Sequence, residues 1–275
     1  MIELDETTST NTFLRDYRPL TSVAITLVTA DHQTAGRGQA GHSWESERGQ
    51  NLLFSLLVQP TLLPSADVFV LSEAIALSIR EAICDQLRSA AIALPVTVKW
   101  PNDIYVGDSK VAGILIENEF RGAHLARSII GCGVNINQGR FAFASDDRHP
   151  LEASDAATLD PAHQDVPSTV PVPISLFQLK GTPTERRFVL ETIIDAFVRR
   201  YEAIQSGAPA ALAAIHADYL AALYRREGRH AYRDAQGLFQ AEINDVEPTG
   251  HLILRDTEGR LRRYAFKEVA YVKAN

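Results

Sequence analysis

Gln33-Thr34-Ala35-Gly36-Arg37-Gly38-Gln39-Ala40-Gly41 is the stretch on which the fold reading turns, because residues 36–41 carry the GxGxxG spacing of a dinucleotide-binding turn. That turn needs a helix to open at its third glycine, so that a pyrophosphate meets the helix N-terminus. Here Gly41 is followed by His42-Ser43-Trp44-Glu45-Ser46-Glu47-Arg48-Gly49, which has no helical apolar period. The dinucleotide reading is therefore rejected. What is left is a flexible loop carrying Gln33, Arg37 and Trp44. It can bring backbone N–H groups to a phosphate, add one guanidinium and lay an indole on an adenine face. A solvated hairpin loop has the same local composition, so the loop alone does not settle the chemistry.

Outward from the loop, residues 23–29 (VAITLVT) and 51–59 (NLLFSLLVQ) are apolar and rich in β-formers, which predicts strand, long loop, strand. From Ser65 to Leu87, Val68, Leu71, Ile75, Ile79 and Ile83 recur at helical spacing after Pro64, with Ser65 as N-cap. This helix is expected to cover one face of the sheet. Residues 96–100, 111–119 and 128–136 read as three further strands, separated by Pro, Asn, Asp and Gly punctuation. Residues 144–173 lose the apolar period and read as a surface insertion. Helical periodicity returns at 185–205 and 210–224, ended by Glu227-Gly228, and 229–275 shows the short alternating strands of a small β-barrel at 238–246, 251–255, 261–266 and 268–272.

Lys99-Trp100-Pro101-Asn102-Asp103, followed by Lys110-Val111-Ala112-Gly113, is the more unusual arrangement. Pro101 cannot donate to a sheet ladder, so the strand is expected to break there and expose Asn102 and Asp103 at an element end. Lys110 then opens an apolar strand, either snorkelling to water or held beside an anion. Asp103 reads equally well as an ordinary turn residue.

Composition narrows the classes. A chain of 275 residues that is 45% hydrophobic is long enough for a catalytic core plus a small appended domain. The 27 basic against 34 acidic residues give a net charge of -7, which argues against a general nucleic-acid binder. Met1-Ile2-Glu3-Leu4-Asp5 carries acids where a secretory signal carries Lys or Arg, and no apolar run approaches the roughly 20 residues of a membrane span. A cytoplasmic protein is expected. Cys84 and Cys132 read as core residues in a reducing compartment, and the eight histidines lack a paired metal-ligand spacing.

Taken together, Ser9-Thr10-Asn11, Gln33 to Gly38, Lys99 to Asp103 with Lys110 to Gly113, and Gly131-Cys132-Gly133-Val134-Asn135 resemble, in order and spacing, the biotin–protein ligase family, also called biotin–[acetyl-CoA-carboxylase] ligases. The resemblance covers nearly the whole chain outside 144–173. It implies an α/β (α+β) fold: a class II aminoacyl-tRNA synthetase/biotin synthetase-like catalytic domain with a mixed sheet over residues 1–226, and a small β-barrel of Src-homology-3 type over 227–275. The implied activity joins biotin and ATP to biotinyl-5'-AMP and pyrophosphate. The biotinyl group then passes to one lysine of a biotin carboxyl carrier domain of acetyl-CoA carboxylase or a related carboxylase.

The same resemblance assigns roles. Ser9, Thr10, Asn11 and Gln33 would hydrogen-bond the ureido ring of biotin, with Gly36, Arg37, Gly38, Gln39, Lys110 and Gly113 completing the biotin site. Lys110 would stand beside the biotin carboxylate and the α-phosphate, where a fixed charge stabilises the charge developing as carboxylate attacks phosphorus. Arg37 would clamp the phosphate of the mixed anhydride, Trp44 would cover adenine and Asn135 would contact its edge. Asn102 and Asp103 would position the Mg²⁺-bound triphosphate. Lys110, Arg37 and Asp103 are the implied catalytic residues, Asp103 also receiving the carrier lysine, whose amine must lose its proton to attack. The glycine-rich 31–49 segment is the expected cover over the intermediate.

Two departures stand out. Many members of the family carry a second arginine where this chain has Gln39, and some carry an N-terminal helix-turn-helix domain, whereas the motifs here begin at Ser9; the form without a DNA reader is expected. Lipoate–protein ligases and octanoyltransferases share the catalytic fold, but the Lys-Trp-Pro-Asn-Asp string favours biotin. A non-catalytic biotin- or nucleotide-binding regulator would be expected to have lost Lys110 or Arg37, and both are present. Neither DNA nor membrane is an expected partner, and sheet-edge homodimerisation is compatible with the sequence.

Overall fold

The computed structural model describes residues 1–18, 24–39, 43–60, 63–141 and 172–272. A seven-stranded mixed sheet runs in the order β1-β2-β3-β7-β6-β5-β4. Its strands are β1 (Ile2–Thr7), β2 (Ile25–Gln33), β3 (Leu52–Val58), β4 (Val96–Lys99), β5 (Asp103–Val106), β6 (Ser109–Arg121) and β7 (His124–Val134). Only the β1–β2 pair is parallel; the rest of the ladder is antiparallel. Strand β3, Leu-Leu-Phe-Ser-Leu-Leu-Val, is buried at every position, which is why it reads as an unbroken apolar run: both faces of the sheet are covered there.

One face packs against α2 (Phe69–Ser89) and, behind it, α4 (Arg186–Gln205) and α5 (Pro209–Ala221). Phe54, Leu56, Ile75, Ile79, Ile83, Ile130 and Phe197 form its core. The other face carries only the seven-residue α1 (Thr10–Asp16), whose Leu14 packs on Val28, Leu57 and Ile129. A short α1 covers part of that face. The uncovered remainder, where β6 and β7 carry Gly113, Gly131 and Gly133, becomes a cavity floor.

The second sheet is antiparallel with five strands in the order β11-β10-β9-β8-β12: β8 (His230–Asp234), β9 (Gly237–Val246), β10 (Leu252–Asp256), β11 (Leu261–Tyr264) and β12 (Ala270–Tyr271). It docks on the first sheet near the Lys-Trp-Pro-Asn-Asp hairpin. Trp100 Nε1 donates to Gly250 O at 3.0 Å, and Tyr219 Oη donates to Pro101 O at 3.1 Å. His216 of α5 bridges Glu73 of α2 at 2.7 Å and Asp245 of β9 at 3.0 Å. The second sheet thus buttresses the hairpin that carries the motif.

Several local expectations change. The helix predicted from Ser65 starts at Phe69, since Ser65–Asp67 is a separate 3-10 turn and Val68 is the N-cap. The strand does break at Trp100, but the chain turns straight back as β5, with Lys99 opposite Asp103. Asn102 is consequently buried rather than exposed, its Nδ2 donating to Ile114 O. Strands β1, β5 and β8 and helices α1 and α3 (Leu176–Lys180) were not anticipated. Of the 144–173 stretch, 144–171 lies outside the described residues. The Val172 side chain is exposed, as expected of an insertion, but the backbone here is tied to β6: Lys110 N donates to Val172 O at 2.8 Å and Ile174 N donates to Lys110 O at 2.9 Å. Among the described residues no helix is long and apolar enough to cross a membrane.

Candidate active site

Parallel pairing of β1 with β2 continues past the strands, as Thr34 N donates to Thr7 O and Ala35 N to Thr8 O. Gln33, at the end of β2, is thereby set beside the N-terminus of α1, where Ser9, Thr10 and Asn11 are all buried. Gln33 Oε1 accepts from Thr10 N at 2.8 Å and from Thr10 Oγ1 at 3.1 Å. Ser55 Oγ of β3 lies 2.7 Å from Thr10 Oγ1 and 2.6 Å from Asn11 Oδ1. Buried polar groups at such spacing are mutually satisfied and held in one arrangement, the condition for recognising a ligand's polar edge.

Two glycines of β7 make room for this. A Cβ on Gly131 would meet Asn11 Oδ1 at 2.1 Å, and one on Gly133 would meet Trp44 Cε2 at 2.2 Å. Gly113 of β6 gives similar clearance, as its Cβ would lie 3.1 Å from Lys110 Nζ. The three glycines form a floor on which the Asn11 amide, the Trp44 indole and the Lys110 ammonium rest. Lys110 Nζ stands 5.6 Å above the Trp44 ring and 2.8 Å from Asp103 Oδ1.

The glycine loop is narrower than expected, because residues 31–33 belong to β2. Its arms close through an Arg37–Ser43 bridge and a Trp44 N to Gly36 O bond of 3.0 Å; residues 40–42, His42 included, lie outside the described residues. Gly36 has a backbone role, since a Cβ there would stand 2.4 Å from Trp44 O. The base of the loop is pinned by Arg48, paired with Asp5 at 2.9 Å and with Glu6, and by Glu47 N, which donates to Gln138 Oε1.

These groups open into one cavity of about 900 Å³, near the upper end of the roughly 300–1,000 Å³ typical of small-molecule sites. Every predicted site residue except Gly36 lines it. Gln39 Oε1 and Trp44 Nε1 are buried without a partner among the described residues. Asn135 is committed in part: its Nδ2 donates to Ile174 O at 3.2 Å, leaving Oδ1 as the atom for a ligand. The connection between β11 and β12 contributes Phe266 and Lys267 to the wall, β12 contributes Tyr271, and Pro173 adds to it from the returning chain. The barrel residues and Pro173 were missed, because nothing in a local pattern reveals which distant segment folds over a site.

A divalent cation finds few protein donors. Among the described residues no group of three or more His, Cys, Asp or Glu converges. Asp103 already faces Lys110, and with the Asn102 amide nitrogen given to Ile114 O the amide oxygen is the atom of Asn102 that could face a cation.

Glu117 of β6 was also missed. It accepts from Asn11 Nδ2 at 2.9 Å and from Arg37 Nη2 at 3.0 Å, and it pairs with Arg15 of α1. Burial by itself would raise its carboxyl, but the hydrogen bonds from Asn11 and Arg15 and the charges of Arg37 and Arg15 outweigh that and hold it below the usual carboxylate range. The available signal was period two along β6, which puts Gly113, Leu115 and Glu117 on one face.

Comparison with known proteins gives a consistent result. Residues 4–135 match the model of the Biotin/lipoate A/B protein ligase family. The bifunctional ligase/repressor BirA of Bacillus spizizenii is 30% identical over 240 residues, which are 87% of this chain and 64% of that protein. The chain therefore spans less than two thirds of the length of that relative. The biotin–[acetyl-CoA-carboxylase] ligase of Paracoccus denitrificans is 27% identical over 239 residues, 85% of each chain. Among solved structures, the biotin protein ligase from Aquifex aeolicus in complex with biotin and ATP superposes with a TM-score of 0.71 at 21% identity, covering 99% of this chain and 98% of the other. The α/β fold with a mixed sheet and a C-terminal antiparallel sheet is thus shared, the second sheet being consistent with a small barrel of Src-homology-3 type.

Proposed function

The chain belongs to the Biotin/lipoate A/B protein ligase family, matched over residues 4–135, and from that premise we propose that it is an ATP-dependent biotin–protein ligase. It forms biotinyl-5'-AMP and pyrophosphate from biotin and ATP and then biotinylates a lysine of a biotin carboxyl carrier domain. The observation that carries this reading is the joining of two subsites by one glycine floor. At one end stand the buried Ser9–Asn11 and Gln33 groups, at the other Lys110 with Asp103. The first suits the polar ureido edge of biotin, and the second suits a carboxylate attacking a phosphate.

In this reading the biotin carboxylate lies near Lys110 Nζ, whose charge offsets the negative charge that builds between carboxylate and α-phosphate. Pyrophosphate leaves as the new P–O bond forms. Arg37 and the loop N–H groups cover the mixed anhydride, Trp44 backs the purine, and Asn135 Oδ1 accepts from its amino edge. Asp103 takes the proton of the incoming lysine ammonium, whose nitrogen attacks the biotinyl carbonyl and expels AMP. Mg²⁺ enters as the ion of the Mg·ATP substrate, whose triphosphate Asn102 and Asp103 would help position. We divide the chain into a catalytic unit of 1–226 and a small β-barrel of 227–275, and take the cytoplasm as its compartment, its two cysteines being unpaired.

The test incubates purified protein with biotin, Mg·ATP and a biotin carboxyl carrier domain, and follows pyrophosphate release and carrier mass. A biotinyl mass increase on a single carrier lysine is expected. Modification with lipoate or octanoate in place of biotin overturns the biotin assignment, and pyrophosphate release with no biotin present overturns the reaction itself.

A further inference from the structure

Glu117 is the point where three segments meet. Its Oε2 accepts from Asn11 Nδ2 at 2.9 Å, and Arg37 Nη2 reaches both carboxylate oxygens at 3.0 Å. Arg15 adds a third cationic or amide donor from the end of α1. No other carboxylate among the described residues contacts both the predicted biotin-side group Asn11 and the predicted phosphate-side group Arg37. The Asn11 amide is thereby oriented: its nitrogen donates to Glu117 at 2.9 Å and, more weakly, to Leu115 O at 3.3 Å, and its oxygen faces Ser55 Oγ, with Gly131 leaving the space. Arg37 sits on the glycine loop, whose arms are closed among the described residues by the Arg37–Ser43 bridge, the Trp44 N bond to Gly36 O and the Gly49 N bond to Asp31 O, none of which engages the Arg37 side chain. An ion pair to a rigid central strand is what fixes its guanidinium.

We infer that Glu117 is a positioning residue that couples the two subsites, orienting the Asn11 amide toward the biotin head group while anchoring Arg37, and with it the glycine loop, over the phosphate subsite. The inference rests on the function proposed above. Glu117 does not touch the reacting atoms; it acts through Asn11 and Arg37. Because one carboxylate serves both, disturbing it has two separable effects. Glu117→Gln keeps an oxygen that accepts from Asn11 but removes the charge that holds Arg37 and Arg15. Glu117→Ala removes both.

The experiment compares wild type, Glu117→Gln, Glu117→Ala, Arg37→Ala and the Arg37→Ala/Glu117→Gln double variant. Glu117→Gln is expected to keep the KM for biotin within about twofold while biotinyl-AMP leaves on the order of fivefold faster, as fits loss of a half-exposed ion-pair network. Glu117→Ala is expected to raise the KM for biotin as well. In the Arg37→Ala background Glu117→Gln should add nothing to release, since coupled residues are non-additive. Hydrogen exchange of the ligand-free proteins at the Ala35 and Trp44 amides supplies an arm that does not depend on activity: exchange should quicken in Glu117→Gln and no further in the double variant. Equal effects of Glu117→Gln with and without Arg37, or unchanged exchange in the single variant, overturn the inference. If wild type forms no biotinyl-AMP, the proposed function fails while the exchange arm still decides whether Glu117 anchors the loop.

Discussion

Lys110 Nζ stands 2.8 Å from Asp103 Oδ1, joining the start of β6 to the start of β5 across the hairpin that follows the Lys-Trp-Pro-Asn-Asp string. Both side chains are about one-fifth exposed, so the pair faces the cavity rather than bulk water. It puts the charge proposed for adenylation and the carboxylate proposed for amine deprotonation within one hydrogen bond of each other.

Lys110→Ala should lower biotinyl-AMP formation by about 10²–10³ with the fold intact, as expected for loss of one preorganised charge at the reacting centre. Asp103→Asn should spare pyrophosphate release more than carrier biotinylation. Pyrophosphate release and carrier mass, measured on the same preparations, check both. Near-normal pyrophosphate release by Lys110→Ala would refute its role.

The backbone of Lys110 is clamped between Val172 O and Ile174 N. A deletion carried through Pro173, the boundary that composition suggests, removes one of these partners and a cavity wall. It should therefore slow adenylation more than a deletion of 144–170 rejoined by a short linker. Equal rates for the two deletions would mean that the bridge does not hold the lysine in place.

His216 links α2, α5 and β9, and its pKa is raised to about 9, chiefly by the hydrogen bond to Glu73 and further by Asp245, against the lowering effect of burial. A raised pKa means that the folded state binds the proton more tightly. The stabilisation is full below the unfolded value of about 6.5 and is lost as pH rises through about 9. Discounted for partial solvent exposure, it is worth roughly 1–2 kcal/mol. Melting curves of wild type and His216→Gln should differ most near pH 6 and converge by about pH 10. A gap that persists at high pH would show that packing, not charge, holds α2 and α5 to the second sheet here.

Gly131→Ala sets a methyl where the Asn11 amide oxygen now lies, 2.1 Å from the ideal Cβ. Asn11 is buried and held by Ser55 and Glu117, so the clash cannot be relieved cheaply. Biotin affinity should fall on the order of tenfold while the KM for ATP changes little. Titration calorimetry with biotin, beside a circular dichroism spectrum showing an unchanged fold, checks this. Wild-type affinity in the variant would remove Asn11 from the biotin subsite.

The sequence by itself determined the elements with long patterns. β3 is an unbroken apolar run and α2 and α4 repeat every 3.6 residues, so burial on a known period identified them without any partner in view. It also determined that Gly36 to Gly41 is no dinucleotide turn, because Ser43 to Gly49 lacks an apolar helical face, and it named the residues around the cavity through their motifs. Short elements escaped. In β1 only Ile2 and Leu4 are apolar among acids, α1 spans barely two turns, and β5 follows Pro101 so closely that the break masks it. These are the pieces that assemble the site. Parallel pairing of β1 with β2 brings Gln33 to Thr10, and the turn into β5 brings Asp103 to Lys110. Which carboxylate holds Arg37, which backbone groups clamp Lys110 and which barrel residues close the wall depend on contacts between segments far apart in the chain. Glu117 and Arg37 are eighty positions apart. No local period encodes such a meeting; it is decided by sheet order and register, which only the tertiary structure fixes.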